Sequence, residues 1–446
     1  RSSGLVSADL RADLDHLFNN ALEPDRIDII DRVHELVGPE LAPRITLGRI
    51  MGSGSLNVVV EATIAPAAAH LAEAPRHVVL RLQRTRLLGM VGNEHALWNH
   101  TIAALQASTD PDVRHAGDGL HEVATAVMST LHAEGSEMNL HGEVLLHEAA
   151  RAAYGAAPDA ETGYHVDVAR PAADIQALLP PEHRGAIAAY EFIDGTTVAQ
   201  ITDTDLRRGL ARQIVEAELA ALLDGGVFDP DGHIGNWMVD VSHRTLHRID
   251  YGQLRTLTPE ERAATTPLLR ALMTPIATAE TSNALADAML GLFHLEGDAM
   301  ADGPTLRRRV AAILADPRYP AVGEIAERLF FIRNELQRIS GGKVRLRPST
   351  QAIVGSMGRL QRYSETLGRT EFTERLLARL HMDPATFWLE AARSRLPRML
   401  QGLATDVAAV VRSDGRTPTD GSAAGCAPTA RAGIYHRALR TLIQGR

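Results

Sequence analysis

Residues 227–252, VFDPDGHIGNWMVDVSHRTLHRIDYG, hold three oxygen-bearing side chains at a spacing suited to phosphate chemistry. Asp231 and Asn236 lie five positions apart, and Asp250 follows fourteen further on. Phosphoryl transfer needs a carboxylate near the attacking hydroxyl and oxygen ligands for the magnesium ions that bridge the phosphates. A loop with Asp and Asn at this interval supplies a general base, Asp231, and one metal ligand, Asn236. Asp250, at the end of a following hairpin in Asp250-Tyr251-Gly252, supplies a second ligand. Gly235 and Gly252 permit the backbone turns beside them. An ordinary Asp/Gly-rich hairpin is the plain alternative, since Asp-Gly pairs form turns. The order Asp, His-x-Gly-Asn, then Ile-Asp-Tyr-Gly argues against it. Asp229 competes for the base, but its separation from Asn236 is too long.

ATP phosphates also need a cradle and a cation. Gly52-Ser53-Gly54-Ser55 is a glycine-rich turn between strand candidates, where backbone amides can cover phosphates. A hairpin turn of this composition is common, and Asn57 stands where a third glycine is preferred. Residues 77–84, HVVLRLQR, place Arg81 where a strand presents a cation to the α- and β-phosphates. The chain has one lysine, Lys343, far downstream. Arginine keeps its charge and forks to phosphate, but it is bulkier than lysine. A solvated strand face is the alternative for Arg81. Two helical carboxylates, Glu143 and Glu94, are candidates to orient it.

These residues need a β-rich layer in front and helices behind. Residues 8–37 read as two helices, with Leu10, Leu14 and Leu17, then Ile27, Ile30, Val33 and Val37, near helical spacing. Residues 45–64 read as strand, turn, strand, and 77–84 as a further strand. Helices are expected over 92–107 and 137–155. Residues 186–195 read as a strand ending at a turn. Beyond about 203 the chain is mainly helical, interrupted by a loop-strand segment at 225–254. Residues 413–432 read as a Gly, Ser, Thr and Pro-rich loop.

At this point the chain resembles the UbiB family of atypical kinases, associated with ubiquinone biosynthesis. Asp231-Gly232-His233-Ile234-Gly235-Asn236 is similar to the family's Asp-Pro-His-Pro-Gly-Asn loop. Val79-Leu80-Arg81-Leu82-Gln83-Arg84 resembles its Ala-Val-Lys-Val-Gln-Arg strand, with Arg replacing Lys. Glu137-Met138-Asn139-Leu140-His141-Gly142-Glu143 resembles its Glu-Leu-Asp-x-x-x-Glu helix, which favours Glu143 over Glu94. Tyr190-Glu191-Phe192-Ile193-Asp194-Gly195 resembles its hinge, and 257–262 the segment after its metal motif. The likeness spans about 45–265. It departs in lacking the N-terminal Lys-x-Gly-Gln motif before residue 45 and in a glycine-rich phosphate loop where many members carry alanines. The Asp-x-His-x-Gly-Asn pattern is also shared by antibiotic phosphotransferases.

The resemblance implies an α+β, two-lobed protein-kinase-like fold with a small β-rich N-lobe and a helical C-lobe. The expected divisions are 1–40, an N-terminal helical extension; 41–195, N-lobe and hinge; 196–345, C-lobe; and 346–446, a C-terminal helical extension. It implies ATP and Mg2+ as cofactors. Asp231, Arg81 and Glu143 are the catalytic set, and Asn236 and Asp250 the metal ligands. Gly52, Ser53, Gly54, Ser55, Arg81, Glu191 and Ile193 contact nucleotide, the hinge mainly through its backbone. The activity expected is phosphoryl transfer to a small-molecule or protein acceptor, or ATP hydrolysis. One alternative is a pseudokinase-like module that binds nucleotide without turnover, which Arg81 favours.

Composition narrows the field. The chain has 446 residues, 45% hydrophobic, enough for two or three structural units with a large core. A net charge of −9 argues against general nucleic-acid affinity. The single cysteine, Cys426, excludes an intrachain disulfide. No apolar run approaches a membrane span. The chain begins Arg1-Ser2-Ser3-Gly4, with neither an initiator Met nor a signal-peptide pattern, and reads as a cut from a longer chain. A cytoplasmic protein is expected. Scarcity of lysine follows from a GC-rich, bacterial-type genome, or from selection in an effector that modifies a host protein after secretion into a host cell. The histidines show no HExxH or Cys-His metal spacing.

Overall fold

Alternating apolar residues at 45–64 and 76–83 fold into antiparallel strands. The strands β1 (Ile45–Ser53), β2 (Asn57–Ile64), β3 (Arg76–Gln83) and β5 (Ile187–Glu191) form one sheet in the order β1-β2-β3-β5. This is a computed structural model that describes residues 26–53, 57–66, 74–84, 87–110, 113–114, 117, 120–121, 124–125, 139–155, 159, 161–230, 232–275, 278–295, 303–316, 318–319, 325–340 and 344–393. Of the expected segments, 8–25 and 413–432 lie outside the described residues.

One face of this sheet carries Val58, Val60, Ala62, Ile64, Val78, Leu80, Leu82, Ile187 and Ala189, all buried in one cluster. Helix α1 (Arg26–Leu41) covers that face with Ile29, Val33, Leu36, Val37 and Leu41. Each such side chain contributes about 1.5–3 kcal/mol on burial, before the entropy of ordering it is subtracted. The period of two in a strand turns the intervening residues, Arg81 among them, to the opposite face.

Helices α2 (Leu87–Gln106) and α3 (Leu140–Tyr154) follow β3. Asn139 caps α3, its side chain accepting from Gly142 N at 3.3 Å. The short α4 (Ala173–Leu178) lies before β5.

A second sheet, in the order β4-β9-β8-β6, belongs to the helical half. Its strands are β4 (His165–Val168), β6 (Thr196–Thr197), β8 (Trp237–Asp240) and β9 (Thr245–Arg248). Helix α5 (Thr204–Ala220), capped by Asp203, leads through a π-turn at Ala221–Gly225 to β7 (Val227–Phe228). Gly226 ends that turn with φ +68°, a conformation that favours glycine. β7 pairs with β10 (Arg255–Thr256). Further helices are α6 (Pro259–Met273), α7 (Ala279–Leu292), α8 (Gly303–Leu314), α9 (Ile325–Ser340), α10 (Pro348–Leu360), α11 (Ser364–Leu367) and α12 (Arg369–Arg379). A two-stranded ladder joins β11 (Phe293–Leu295) to β12 (Val344–Leu346). The two-lobed α+β arrangement is the one expected, a small antiparallel sheet in front and helices behind.

The described residues divide into two compact units, one drawn from Arg1–Met273 and Thr278–Met382, the other from Thr274–Ala277 and Asp383–Arg446. In the second, residues 384–393 are helical, and Asp383 caps that helix by accepting from Thr386 N and Oγ1. Among the described residues no helix is long and apolar enough to cross a membrane.

Candidate functional site

Arg81, on the sheet face opposite α1, is met by the first turn of α3. Its Nη1 donates to both carboxylate oxygens of Glu143, at 2.9 and 2.7 Å. Glu143 is fully buried and lies at a helix N-terminus, where the helix dipole favours an anion. Tyr190 lies on the same side of β5 and donates its hydroxyl to Glu143 Oε1 at 2.8 Å. Burial and the Glu143 charge push the Tyr190 phenol well above its ordinary pKa, so it stays a donor. The structure therefore brings Arg81 and Glu143 together. The alternative Glu94 lies in α2, with its side chain outside the described residues.

The β8–β9 hairpin brings Asn236 and Asp250 to one end. Trp237 pairs with Arg248 in the ladder, and one step beyond, Ile249 N donates to Asn236 O at 2.9 Å. Asp250 follows directly. Asn236 closes a 3-10 turn, Ile234–Asn236, whose entry is fixed by His233 Nδ1 accepting from Gly235 N at 3.1 Å. A Cβ at position 235 would lie 2.9 Å from that imidazole. Neither Gly235 nor Gly252 has positive φ. Glycine at 235 thus makes room for a side chain, and the conformational freedom expected of it is not used.

The two halves of the site meet at Asp250. Arg81 Nη2 donates to Asp250 Oδ2 at 3.2 Å, and Gly252 N to Oδ1 at 3.3 Å. Burial opposes ionisation of Asp250, but Arg81, by charge and hydrogen bond, outweighs it together with Arg248. The Asp250 pKa falls below the ordinary carboxylate value. Tyr251 is buried, its hydroxyl donating to Ala169 O at 3.0 Å.

Asp231 lies outside the described residues, as do Gly54 and Ser55. Gly52 and Ser53 pair with Val59 and Val58 in the β1–β2 ladder, and the Ser53 side chain is not described. A Cβ at Gly52 would meet Val59 Cβ at an ordinary 3.9 Å. Glu191 ends β5 with an exposed side chain 3.9 Å from Arg76, and its N–H donates to Arg170 O at 2.8 Å. Ile193 O accepts from Gly195 N at 3.0 Å. Between them Phe192 stacks on His77, ring centroids 3.8 Å apart and 16° from parallel, and His77 Nε2 lies 2.7 Å from Glu61. Among the described residues no three His, Cys, Asp or Glu side chains gather as a metal cluster.

Sequence reasoning missed what stands behind the loop. Arg248 is completely buried. Its Nη1 pairs with Glu218 of α5, its Nη2 with Asp229, and its Nε donates to the backbone O of Asp250 at 2.9 Å. Its guanidinium lies over the rings of both Tyr154 and Trp237, 5.1 and 5.2 Å from their centroids. Tyr154 donates to Glu218 Oε2 at 2.9 Å. Burial opposes the Arg248 charge, yet Glu218 and Asp229 raise its pKa. Asp229 is buried and paired with Arg248. The four residues of β9 carry too little alternation to mark Arg248 as inward-facing.

No curated protein matches the chain. The family model described as the ABC1 atypical kinase-like domain matches residues 185–279. The segment carrying the hinge, Asn236 and Asp250 is therefore atypical kinase-like, in agreement with the resemblance to the UbiB family.

Proposed function

We propose that the protein binds ATP with magnesium and transfers its terminal phosphoryl group to an acceptor hydroxyl or to water. The observation that carries this reading is the meeting of Arg81, Glu143 and Asp250 beside Asn236 at the end of the β8–β9 hairpin.

The donor set fits magnesium. An amide oxygen and a carboxylate kept ionised by Arg81 are two hard oxygen ligands. Magnesium binds through one or two carboxylates plus phosphates and water, rather than an all-protein cage. A bound ion would neutralise charge on the phosphates. Arg81 would supply a second positive charge to them, with Glu143 and Tyr190 fixing its orientation. Glu191 N–H and Ile193 C=O are bonded within the chain, so contacts to adenine fall to Glu191 C=O and Ile193 N–H. Asp231 takes the proton of the attacking hydroxyl. The new phosphorus–oxygen bond forms as the bond to the β-phosphate oxygen breaks, and ADP leaves.

A second reading has its own observation. Arg81 holds Asp250 at 3.2 Å, so a cation already neutralises the carboxylate a metal would use. This favours nucleotide binding without turnover. Calorimetry with ATP in magnesium and in EDTA, followed by release of labelled phosphate, separates the readings. Equal affinity in EDTA removes the metal assignment. Magnesium-dependent binding without phosphate release leaves the binding module.

A further inference from the structure

Arg248 contacts residues next to Asn236 and near Asp231 in sequence, and the backbone of Asp250 itself. Its Nε bonds the carbonyl of Asp250, and its stacking partner Trp237 directly follows Asn236. Its Nη2 holds Asp229, two residues before Asp231. Through Glu218 it reaches α5, and through Tyr154 it reaches the end of α3, the helix that begins with Glu143. The loop lies directly on this group: a Cβ at Gly232 would sit 3.4 Å from Glu218 Oε1 and 3.7 Å from Asp229 Cβ.

The arrangement is costly unless it has a geometric purpose. Two carboxylates and one guanidinium are out of water, and well-packed apolar residues in place of a buried ion triad often stabilise a fold equally well. What apolar residues cannot do is bind three acceptors at fixed angles. A guanidinium donates in a rigid planar fork, and here each edge goes to a different element. Lysine in its place would keep the charge and lose the fork.

Resting on the phosphotransfer reading above, we infer that Arg248 is a positioning residue that sets the separation between residues 232–236 and the Asp250 carboxylate. It acts through the Asp250 carbonyl and the Asp229 carboxylate. Asp229 itself, though adjacent to the loop, serves this fork and does not act as a base.

The test uses the full chain with Arg248→Lys, and a triple variant, Glu218→Gln with Asp229→Asn and Arg248→Met, that removes all three charges and the unpaired-anion penalty. Amide exchange and ATP affinity are measured on both. Exchange at 232–236 and 249–252 is expected to rise by about tenfold or more, with β2 and β3 at wild-type rates. The ratio of ATP dissociation constants in EDTA and in magnesium is expected to fall about tenfold in the lysine variant, while the EDTA value stays within about twofold. Wild-type local exchange in a folded variant overturns the proposal. So does a uniform rise across both lobes, which marks a core residue only. If wild-type protein binds no ATP, the phosphotransfer reading fails by itself, and the exchange pattern still decides the role of Arg248.

Discussion

Replacing Glu143 by glutamine should destabilise the fold through the charge left behind on Arg81. The glutamine keeps the shape and one acceptor oxygen but removes the charge that two Arg81 hydrogen bonds meet at 2.9 and 2.7 Å. Arg81, 8% exposed, keeps its bond to Asp250 at 3.2 Å. Breaking a buried pair by removing one partner costs about 3–5 kcal/mol, and the surviving acceptor and Asp250 reduce this to about 2–3 kcal/mol. Arg81→Met should cost more, near the top of that range, because it takes both Arg81 hydrogen bonds and their charge from a fully buried Glu143, whose bond from Tyr190 stays. The double variant should be more stable than the sum of the singles by roughly 2 kcal/mol, since neither charge is then unpaired. Urea unfolding of the four proteins measures the cycle. Additive losses, or a Glu143→Gln variant within about 0.5 kcal/mol of wild type, would refute the argument that this pair is desolvated and mutually dependent.

Tyr190→Phe removes one hydrogen bond to the buried carboxylate and should cost about 1.5–3 kcal/mol in the same urea assay, with Arg81 still paired. Asp250→Ala should abolish turnover and the magnesium dependence of ATP affinity, whereas Asp231→Ala should slow turnover about 10²–10⁴-fold with ATP affinity unchanged, as read by calorimetry and phosphate release. The Asp250 pKa is lowered, so the fold favours its ionised form. That stabilisation is present above the unfolded value of about 3.9 and is lost as pH falls through the folded value. Acid unfolding curves should therefore show a limb below about pH 4 that is missing in Asp250→Asn.

Much of the site could be read in the chain because its pieces are local. Asn236 closes one short turn, Asp250 follows one hairpin, and Arg81 falls out of strand alternation. Glu143 needed the resemblance, since a helical carboxylate carries no signature of what it faces. Arg248 was opaque for the opposite reason. An arginine in a short strand reads as solvent-facing, and only the fold brings Glu218 and Asp229 to it from α5 and from the loop. The short strands β4, β6, β7, β10, β11 and β12, two to four residues each, carry too few residues for alternation to register. β11 and β12 also pair across a long stretch of chain, which no local pattern announces.

Arginine at position 81 has a practical consequence for how such a protein is found. Nucleotide analogues with a reactive acyl phosphate trap their targets by acylating an amine beside the phosphates, and a guanidinium does not accept the acyl group. A proteome surveyed by that chemistry would return no signal from position 81, however tightly ATP was held. Dicarbonyl reagents that modify guanidinium groups face a different obstacle: both arms of Arg81 are already engaged, by Glu143 and by Asp250. Photoaffinity labels carried on the adenine ring, which need neither an amine nor a free guanidinium, are the chemistry suited to this site.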